Sequence, residues 1–287
     1  TITLPRGYSS QGIKALLARD PDSTNQGFTG TEGFKAVSLA GLPARLELEL
    51  RHSSTQVRIN SRAALPAEVS TEAHRIALRL LGLQQHRPSA AALRREPWAA
   101  LVNPAPALRP ALYATPFEAL LWAIVGQQIN IRFAATLIRR INELVAARLN
   151  TALVLPATAL ALAELDAADL TKLQCSGAKS NTIIQVARAI ANDELPLDRL
   201  ATAGAEAARQ CLLAHKGVGP WTSEYVLMRG MGLADCLPLG DSGLRNGAER
   251  FFSLQGRPDS GDVASHMAVF APYRSLATHH IWMSHSG

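Results

Sequence analysis

The apolar residues of this chain change period once along its length, and that change restricts the fold more than any other feature. Phe34-Lys-Ala-Val-Ser-Leu39, Ala44-Arg-Leu-Glu-Leu-Glu-Leu50 and Thr55-Gln-Val-Arg-Ile-Asn60 alternate apolar and polar side chains at period two. That is the signature of strands with one face buried. Turn signals at Gly41-Leu-Pro43 and His52-Ser-Ser54 separate them, so an antiparallel meander is expected. Residues 12–18 and 68–81 flank it with apolar spacings of three and four, which predicts two helices. Beyond His86 the pattern is helical almost throughout. The expectation is an α+β chain: a small antiparallel-sheet domain over residues 1–86, then an all-α domain over 87–287.

In the second part, residues 88–110 are rich in proline and alanine and read as a connecting stretch with one short helix. Thr115-Pro-Phe-Glu118 opens a long helix, with Thr115 as N-cap, Pro116 at the first position and Glu118 completing a capping box. Further helices are predicted over 131–147, 158–165, 167–173, 179–192, 206–215, 220–231, 242–252 and 274–283.

Composition narrows the class. With 47% hydrophobic and 18% charged residues among 287, a packed core is feasible and global disorder is excluded. No apolar run approaches the ~20 residues of a membrane helix, so no membrane partner is expected. The opening ten residues carry Pro5, Arg6 and Gly7 and do not resemble a secretory signal, so a cytoplasmic location is expected. Three scattered cysteines, Cys175, Cys211 and Cys236, suit neither a disulfide framework nor a zinc or iron–sulfur site. Residues 1–150 hold 18 basic and 10 acidic side chains, against 11 and 13 in the remainder. A basic balance of this kind predisposes a protein to polyanions such as DNA.

The most informative segment runs Cys211-Leu-Leu-Ala-His-Lys-Gly-Val-Gly-Pro-Trp-Thr-Ser-Glu-Tyr225. A helix ends near Gly217, the chain turns through Val218 and Gly219, and Pro220 starts the next helix. Backbone N–H groups exposed at such a start bind phosphate without side-chain charge, and Val218 can fill the space between the helices. Twenty-two residues beyond Gly219, Leu237-Pro-Leu-Gly-Asp-Ser-Gly-Leu-Arg-Asn-Gly247 puts Asp241 at the mouth of another helix. Asp241 reads as a plain N-cap, or as a carboxylate placed to stabilise a positive sugar or activate water.

Together these residues resemble the helix-hairpin-helix, Gly/Pro…Asp DNA glycosylase superfamily. Thr115-Pro-Phe-Glu-Ala-Leu-Leu-Trp-Ala-Ile-Val-Gly-Gln-Gln-Ile129 is similar to the block that opens the helical core in its AlkA-type alkylbase branch, the 3-methyladenine DNA glycosylase II proteins. Tyr273-Arg-Ser and His280-Ile-Trp282 resemble that branch's closing segment, and the leading α+β unit resembles its TATA-binding-protein-like domain.

The resemblance implies a helix-hairpin-helix over about 206–231 and a catalytic loop over 237–247, with Asp241 as the catalytic carboxylate. It implies a base pocket lined by Trp221, Tyr225 and Trp282, and DNA contacts from Gln128 as the wedge and from Gly217, Val218, Gly219 and Thr222 at the hairpin. No cofactor is implied as required. The carbonyls of Leu213, His215 and Gly217 are implied to hold a monovalent cation, Na+ or K+. The implied partner is double-stranded DNA carrying alkylated bases, acted on by a monomer.

The implied chemistry is flipping of the damaged base, departure of that base, and hydrolysis at the sugar carbon. Where bifunctional relatives carry a lysine after the hairpin, this chain has Trp221, which cannot act as an amine nucleophile. A monofunctional glycosylase that leaves an abasic site is expected. Gly240 stands where many relatives have a second aspartate. The competing readings are a non-catalytic module that binds damaged DNA, and a glycosylase for oxidised purines.

Overall fold

The computed structural model describes residues 1–284. Its N-terminal part contains β1 (Ile2–Thr3), α1 (Gln11–Leu17), β2 (Gln26–Thr29), β3 (Glu32–Leu39), β4 (Leu42–Leu50), β5 (Ser54–Asn60) and α2 (Val69–Leu80). The strands form one antiparallel sheet in the order β1-β5-β4-β3-β2. In β4 the buried residues are Ala44, Leu46, Leu48 and Leu50, so the period-two pattern does define the inner face.

The β3–β4 turn differs from expectation. Leu39 pairs with Leu42 and Ser38 with Pro43, which confines the turn to Ala40 and Gly41. Both have positive φ, 48° and 78°, the backbone that a two-residue turn requires to match strand twist. Pro43 therefore lies within the strand, and β1 and β2, too short to show a period, widen the sheet at both edges.

The remainder is helical: α3 (Trp98–Val102), α4 (Pro116–Gly126), α5 (Ile131–Arg148), α6 (Ala159–Ala163), α7 (Ala167–Thr171), α8 (Gly177–Ala191), α9 (Leu197–Leu200), α10 (Ala205–Leu213), α11 (Pro220–Tyr225), α12 (Ser242–Phe251), α13 (Ser260–Met267) and α14 (Arg274–Met283). The expected segment 88–110 is more than a connector. Trp98, Leu101 and Val102 are buried against α12–α14, with the Trp98 ring 4.7 Å from that of Phe270.

Helix α4 is apolar on every side, and such a helix must be covered on every side. Ala119 and Ala123 pack into the sheet-side core, while Leu120, Leu121, Ile124 and Val125 pack into the helical core. Thr115 caps it by accepting from the Glu118 backbone N–H at 3.2 Å. The expected box is only half made, because the Glu118 carboxylate turns to Lys35 Nζ on β3 at 2.7 Å. Lys35 also donates to Gln26 Oε1 at 2.9 Å, so sheet and central helix are joined by a buried ion pair.

Helix α11 continues as a π-helical turn over Val226–Met231. Widening of the helix frees carbonyls, and three of them are taken up from outside it. The Met228 oxygen accepts from Gln85 Nε2 at 3.2 Å, the Arg229 oxygen from the Tyr113 N–H at 3.1 Å, and the Gly230 oxygen from Arg79 Nη2. Arg79 also donates Nε to the Tyr113 carbonyl at 2.9 Å. Burial, with neighbouring Arg75 acting in the same direction, lowers its guanidinium pKa to about 10. The N-terminal part thereby grips the helix that carries Trp221 and Tyr225.

Candidate active site

The hairpin forms as the glycines require, although α10 ends at Leu213, two residues before the predicted end, so the connection runs over residues 214–219. Gly217 has φ +87°, and a Cβ there would lie 2.1 Å from Thr182 Oγ1 on α8, so only glycine fits. Val218 is 4% exposed and seals the gap between the helices as its apolar side chain predicts.

Glu224, which sequence reasoning passed over, locks the hairpin to the loop beyond it. Its Oε1 accepts from Arg209 Nε of α10 at 2.6 Å, and its Oε2 from the Leu237 N–H at 2.7 Å. The same loop is held from α14: Asp235 makes a two-pronged pair with Arg274 at 2.6 and 2.8 Å, and Ser275 Oγ donates to the Leu233 carbonyl at 2.7 Å. The signal for Glu224 was a lone carboxylate in an otherwise uncharged, largely apolar run from Trp221 to Met228.

Asp241 is the N-cap of α12, its Oδ1 accepting from the Leu244 N–H at 2.7 Å. The same oxygen accepts from Trp282 Nε1 at 2.9 Å, and Oδ2 accepts from Trp221 Nε1 at 3.1 Å. Two readings of this residue, cap and site carboxylate, are thus combined in one geometry. Three donors fix the carboxylate, and of its four lone-pair positions one on Oδ2 stays open. Gly240 sits at φ +89°, a conformation an aspartate would adopt only with strain.

Trp221, Tyr225 and Trp282 come together as expected. The Tyr225 ring is 5.4 Å from that of Trp221 and 6.1 Å from that of Trp282. They line a cleft of about 910 Å³ that also holds Asp241, Gln128, Gly219 and Gly240. Two further residues of this cleft escaped the sequence: Trp122 of α4 and Arg19, just beyond α1. The Arg19 guanidinium lies 4.3 Å from the Trp122 ring centroid, and its Nη1 donates to the Tyr113 hydroxyl at 2.5 Å. That hydroxyl is 3.2 Å from the one on Tyr225. The aromatic pocket is therefore already furnished with a cation of its own.

At the cleft's rim, Gln128 is exposed and has φ +56°, a left-handed backbone rare for a residue with a side chain. Ile131, three residues on, is 67% exposed on the same rim. Gln127 turns inward, its Nε2 donating to the Gly217 carbonyl and to Thr222 Oγ1, each at 3.0 Å. Thr222 is 2% exposed. Its hydroxyl is spent on Gln127 inside the protein, which corrects the expectation of a DNA-facing side chain.

Of the three carbonyls expected to hold a cation, that of His215 accepts from the Val218 N–H at 3.0 Å and that of Gly217 from Gln127. Each oxygen keeps a second lone pair, and neutral hard oxygens suit a weakly held monovalent ion. The donor set fits such an ion.

Comparison with known proteins agrees with this architecture. Residues 121–272 match the model of the HhH-GPD superfamily base excision DNA repair proteins. The chain is 33% identical over 168 residues to the putative DNA-3-methyladenine glycosylase YfjP of Bacillus subtilis, covering 58% of each chain. It is 30% identical to a DNA-3-methyladenine glycosylase of the same organism, over 58% of this chain and 56% of that one. The matched region thus spans under two thirds of these relatives. Among solved structures, the 3-methyladenine DNA-glycosylase of Archaeoglobus fulgidus superposes with a TM-score of 0.82 at 20% identity, covering 98% of this chain and 96% of that one. The 8-oxoguanine glycosylase/lyase of Clostridium acetobutylicum, in complex with DNA, gives 0.73 at 14% identity, over 97% and 92%. One fold thus serves proteins named for different lesions, and the fold alone does not choose between them. With the hairpin, the capped Asp241 and a family match over more than half its length, the chain belongs to the HhH-GPD superfamily of base excision DNA repair proteins.

Proposed function

We propose that this protein is a monofunctional DNA glycosylase that flips alkylated bases of the 3-methyladenine and 7-methylguanine class out of duplex DNA and hydrolyses the N-glycosidic bond. The observation that carries the reading is the Asp241 carboxylate, held by two indole N–H groups at the mouth of an aromatic cleft beside the hairpin.

The N–H groups at the start of α11 and the glycine turn take a DNA phosphate. Gln128, raised on its left-handed backbone, fills the space the base vacates, and Ile131 stands beside it as an apolar surface for the neighbouring base. The flipped base stacks among Trp221, Tyr225 and Trp282. As the C1′–N bond lengthens, the fixed Asp241 carboxylate stabilises the positive sugar, and water adds at C1′. No lysine lines the cleft among the described residues, and Trp221 fills the position a Schiff-base amine would need. The strand is therefore left intact with an abasic site.

The same reading includes a two-part organisation with a division near residue 86, a monomer working on double-stranded DNA in the cytoplasm, and no required cofactor. A Na+ or K+ ion on the carbonyls of Leu213, His215 and Gly217 would reinforce the phosphate-binding turn.

The test is base release from methylated duplex DNA by the native protein and by Asp241→Asn. Asparagine caps helices as well as aspartate does, so the variant should keep its fold. Loss of release on the order of a thousandfold, with native strand breaks appearing only after alkali, is expected. Binding without release across a panel of lesions would overturn the enzyme reading in favour of a damage-binding module.

A further inference from the structure

The chain between α4 and α5 carries Gln128 to the cleft's rim, and it is tied down at three places. At its start, Lys179 of α8 donates to the Val125 carbonyl at 2.9 Å, closing the open C-terminal end of α4. At its end, Asn130 caps α5 by accepting from the Phe133 N–H at 2.8 Å. The middle tie is Gln127, whose Nε2 reaches both the Gly217 carbonyl and Thr222 Oγ1. These acceptors belong to different parts of the hairpin, the turn and the second helix. One planar amide with two N–H donors serves both, and a carboxylate of the same size has no donor to offer.

The middle tie has a mechanical consequence. Gln127 is half-buried and points into the protein, while Gln128 is exposed and stands at φ +56°, a backbone unfavourable for any residue with a Cβ. Such a conformation persists only where the surroundings hold it. The Gly217–Val218 peptide unit is held on both sides, its N–H by the His215 carbonyl at 3.0 Å and its C=O by Gln127. That unit lies inside the glycine turn assigned to the DNA phosphate. Helix α8 backs both partners, through Lys179 on the wedge loop and Thr182 against Gly217. The turn and the wedge loop are therefore built to move as one body.

From this geometry we infer that Gln127 is a positioning residue for base flipping. It transmits the hairpin's grip on the strand to Gln128, so that the wedge is already aimed when the base leaves the stack. Binding energy gained at the phosphate is thereby made available for unstacking. Gln127 acts through Gln128 and takes no part in breaking the bond. The inference rests on the wedge and hairpin roles in the reading above, and not on which base is released.

The experiment uses the full chain, single-turnover conditions, and duplexes with a single 7-methylguanine facing either cytosine or a tetrahydrofuran abasic analogue. Opposite the gap the lesion is unpaired and flips at little cost, so the wedge has little to do. Gln127→Met keeps the length and loses both donors. It should slow release opposite cytosine about tenfold and leave release opposite the gap near the native rate. Gln127→Glu should act in the same sense, and serves should Met disturb folding. In a Gln128→Ala background the same substitutions should add nothing, because the part they position is gone. Fluorescence of 2-aminopurine placed beside the lesion reports unstacking, and its rise should slow by the same factor. Equal slowing on both duplexes, or a full effect that persists without Gln128, would reduce Gln127 to a structural part and overturn the inference. A native protein that brightens 2-aminopurine but frees no base would sink the glycosylase reading, while a slower rise in Gln127→Met would still carry the inference.

Discussion

At the scale of single residues, the site depends on how closely its parts fit Asp241. Gly243, two positions into α12, shows this. A Cβ there would stand 3.1 Å from Asp241 Oδ1 and 3.4 Å from Trp282 Cδ1. Its φ is not positive, so alanine costs no backbone strain and should add a few tenths to about 1 kcal/mol of stability to the helix. The same methyl must push the carboxylate or the indole by tenths of an ångström. Gly243→Ala is therefore expected to raise the melting temperature while cutting base release about tenfold. Unchanged single-turnover release in that variant would show that the clamp tolerates displacement. Some residues at this scale were legible in the chain and some were not. Asp241, Trp221 and Tyr225 sit in a recognisable run around a glycine turn. Arg19 joins them from 222 positions away, and nothing in its own neighbourhood marks it.

Secondary-structure elements meet through a few polar contacts, and these set the register between sheet and helices. The Lys35–Glu118 pair is nearly dry, with side chains 4% and 12% exposed. Removing one partner strands a buried charge, so Lys35→Met is expected to cost about 3 kcal/mol. Lys35→Met combined with Glu118→Leu should recover most of it, because two apolar groups leave no charge unpaired and only the neutral Gln26 Oε1 loses a donor. Urea unfolding of Lys35→Met, Glu118→Leu and the double variant measures this, and a strictly additive double variant would refute the coupling. Elements with a clear period were readable in advance: β3 to β5, α5, α8 and α12 fall where apolar spacing puts them. Among those that escaped were β1, β2 and α9, with two to four residues each too short to show a period, and α13, whose Ser-Gly-Asp-Val-Ala-Ser-His-Met sequence has little apolar content. The capping box of Asp259 and Asp262 was the available sign of that helix. Tertiary pull explains the half-made box on α4, since a buried lysine outcompetes a local backbone N–H for a carboxylate.

For the molecule as a whole, α14 ties folding to pH. Burial lowers the His280 imidazole from 6.5 to about 4, with Arg87 acting in the same direction, and burial holds His279 well below its ordinary value. The folded state keeps both neutral while the unfolded chain takes up protons, so stability is complete above about pH 6.5 and declines as pH falls toward 4. His280 alone contributes roughly 3 kcal/mol to that loss. His280→Gln, which cannot take up a proton, should show a flatter dependence between pH 7.5 and 4.5 in urea unfolding. An equal loss in both proteins would place the pH sensitivity elsewhere. Asp235, held below the usual carboxylate range by its hydrogen bonds to Arg274, acts only at lower pH.

The cleft is assembled from distant stretches of chain, and this has a consequence for how such a protein can diversify. Asp241 and Trp221 lie within residues 121–272, the span shared with the wider superfamily, whereas Arg19 and Tyr113 lie outside it. The Asp241 side of the cleft comes from that span and from Trp282 of α14, and the Arg19 side from the N-terminal part. Substitutions at 19 or 113 can reshape one wall of the cleft while the Asp241 carboxylate keeps its two indole partners. Variation on one side of the cleft can therefore accumulate without touching the hydrogen bonds that fix the carboxylate on the other.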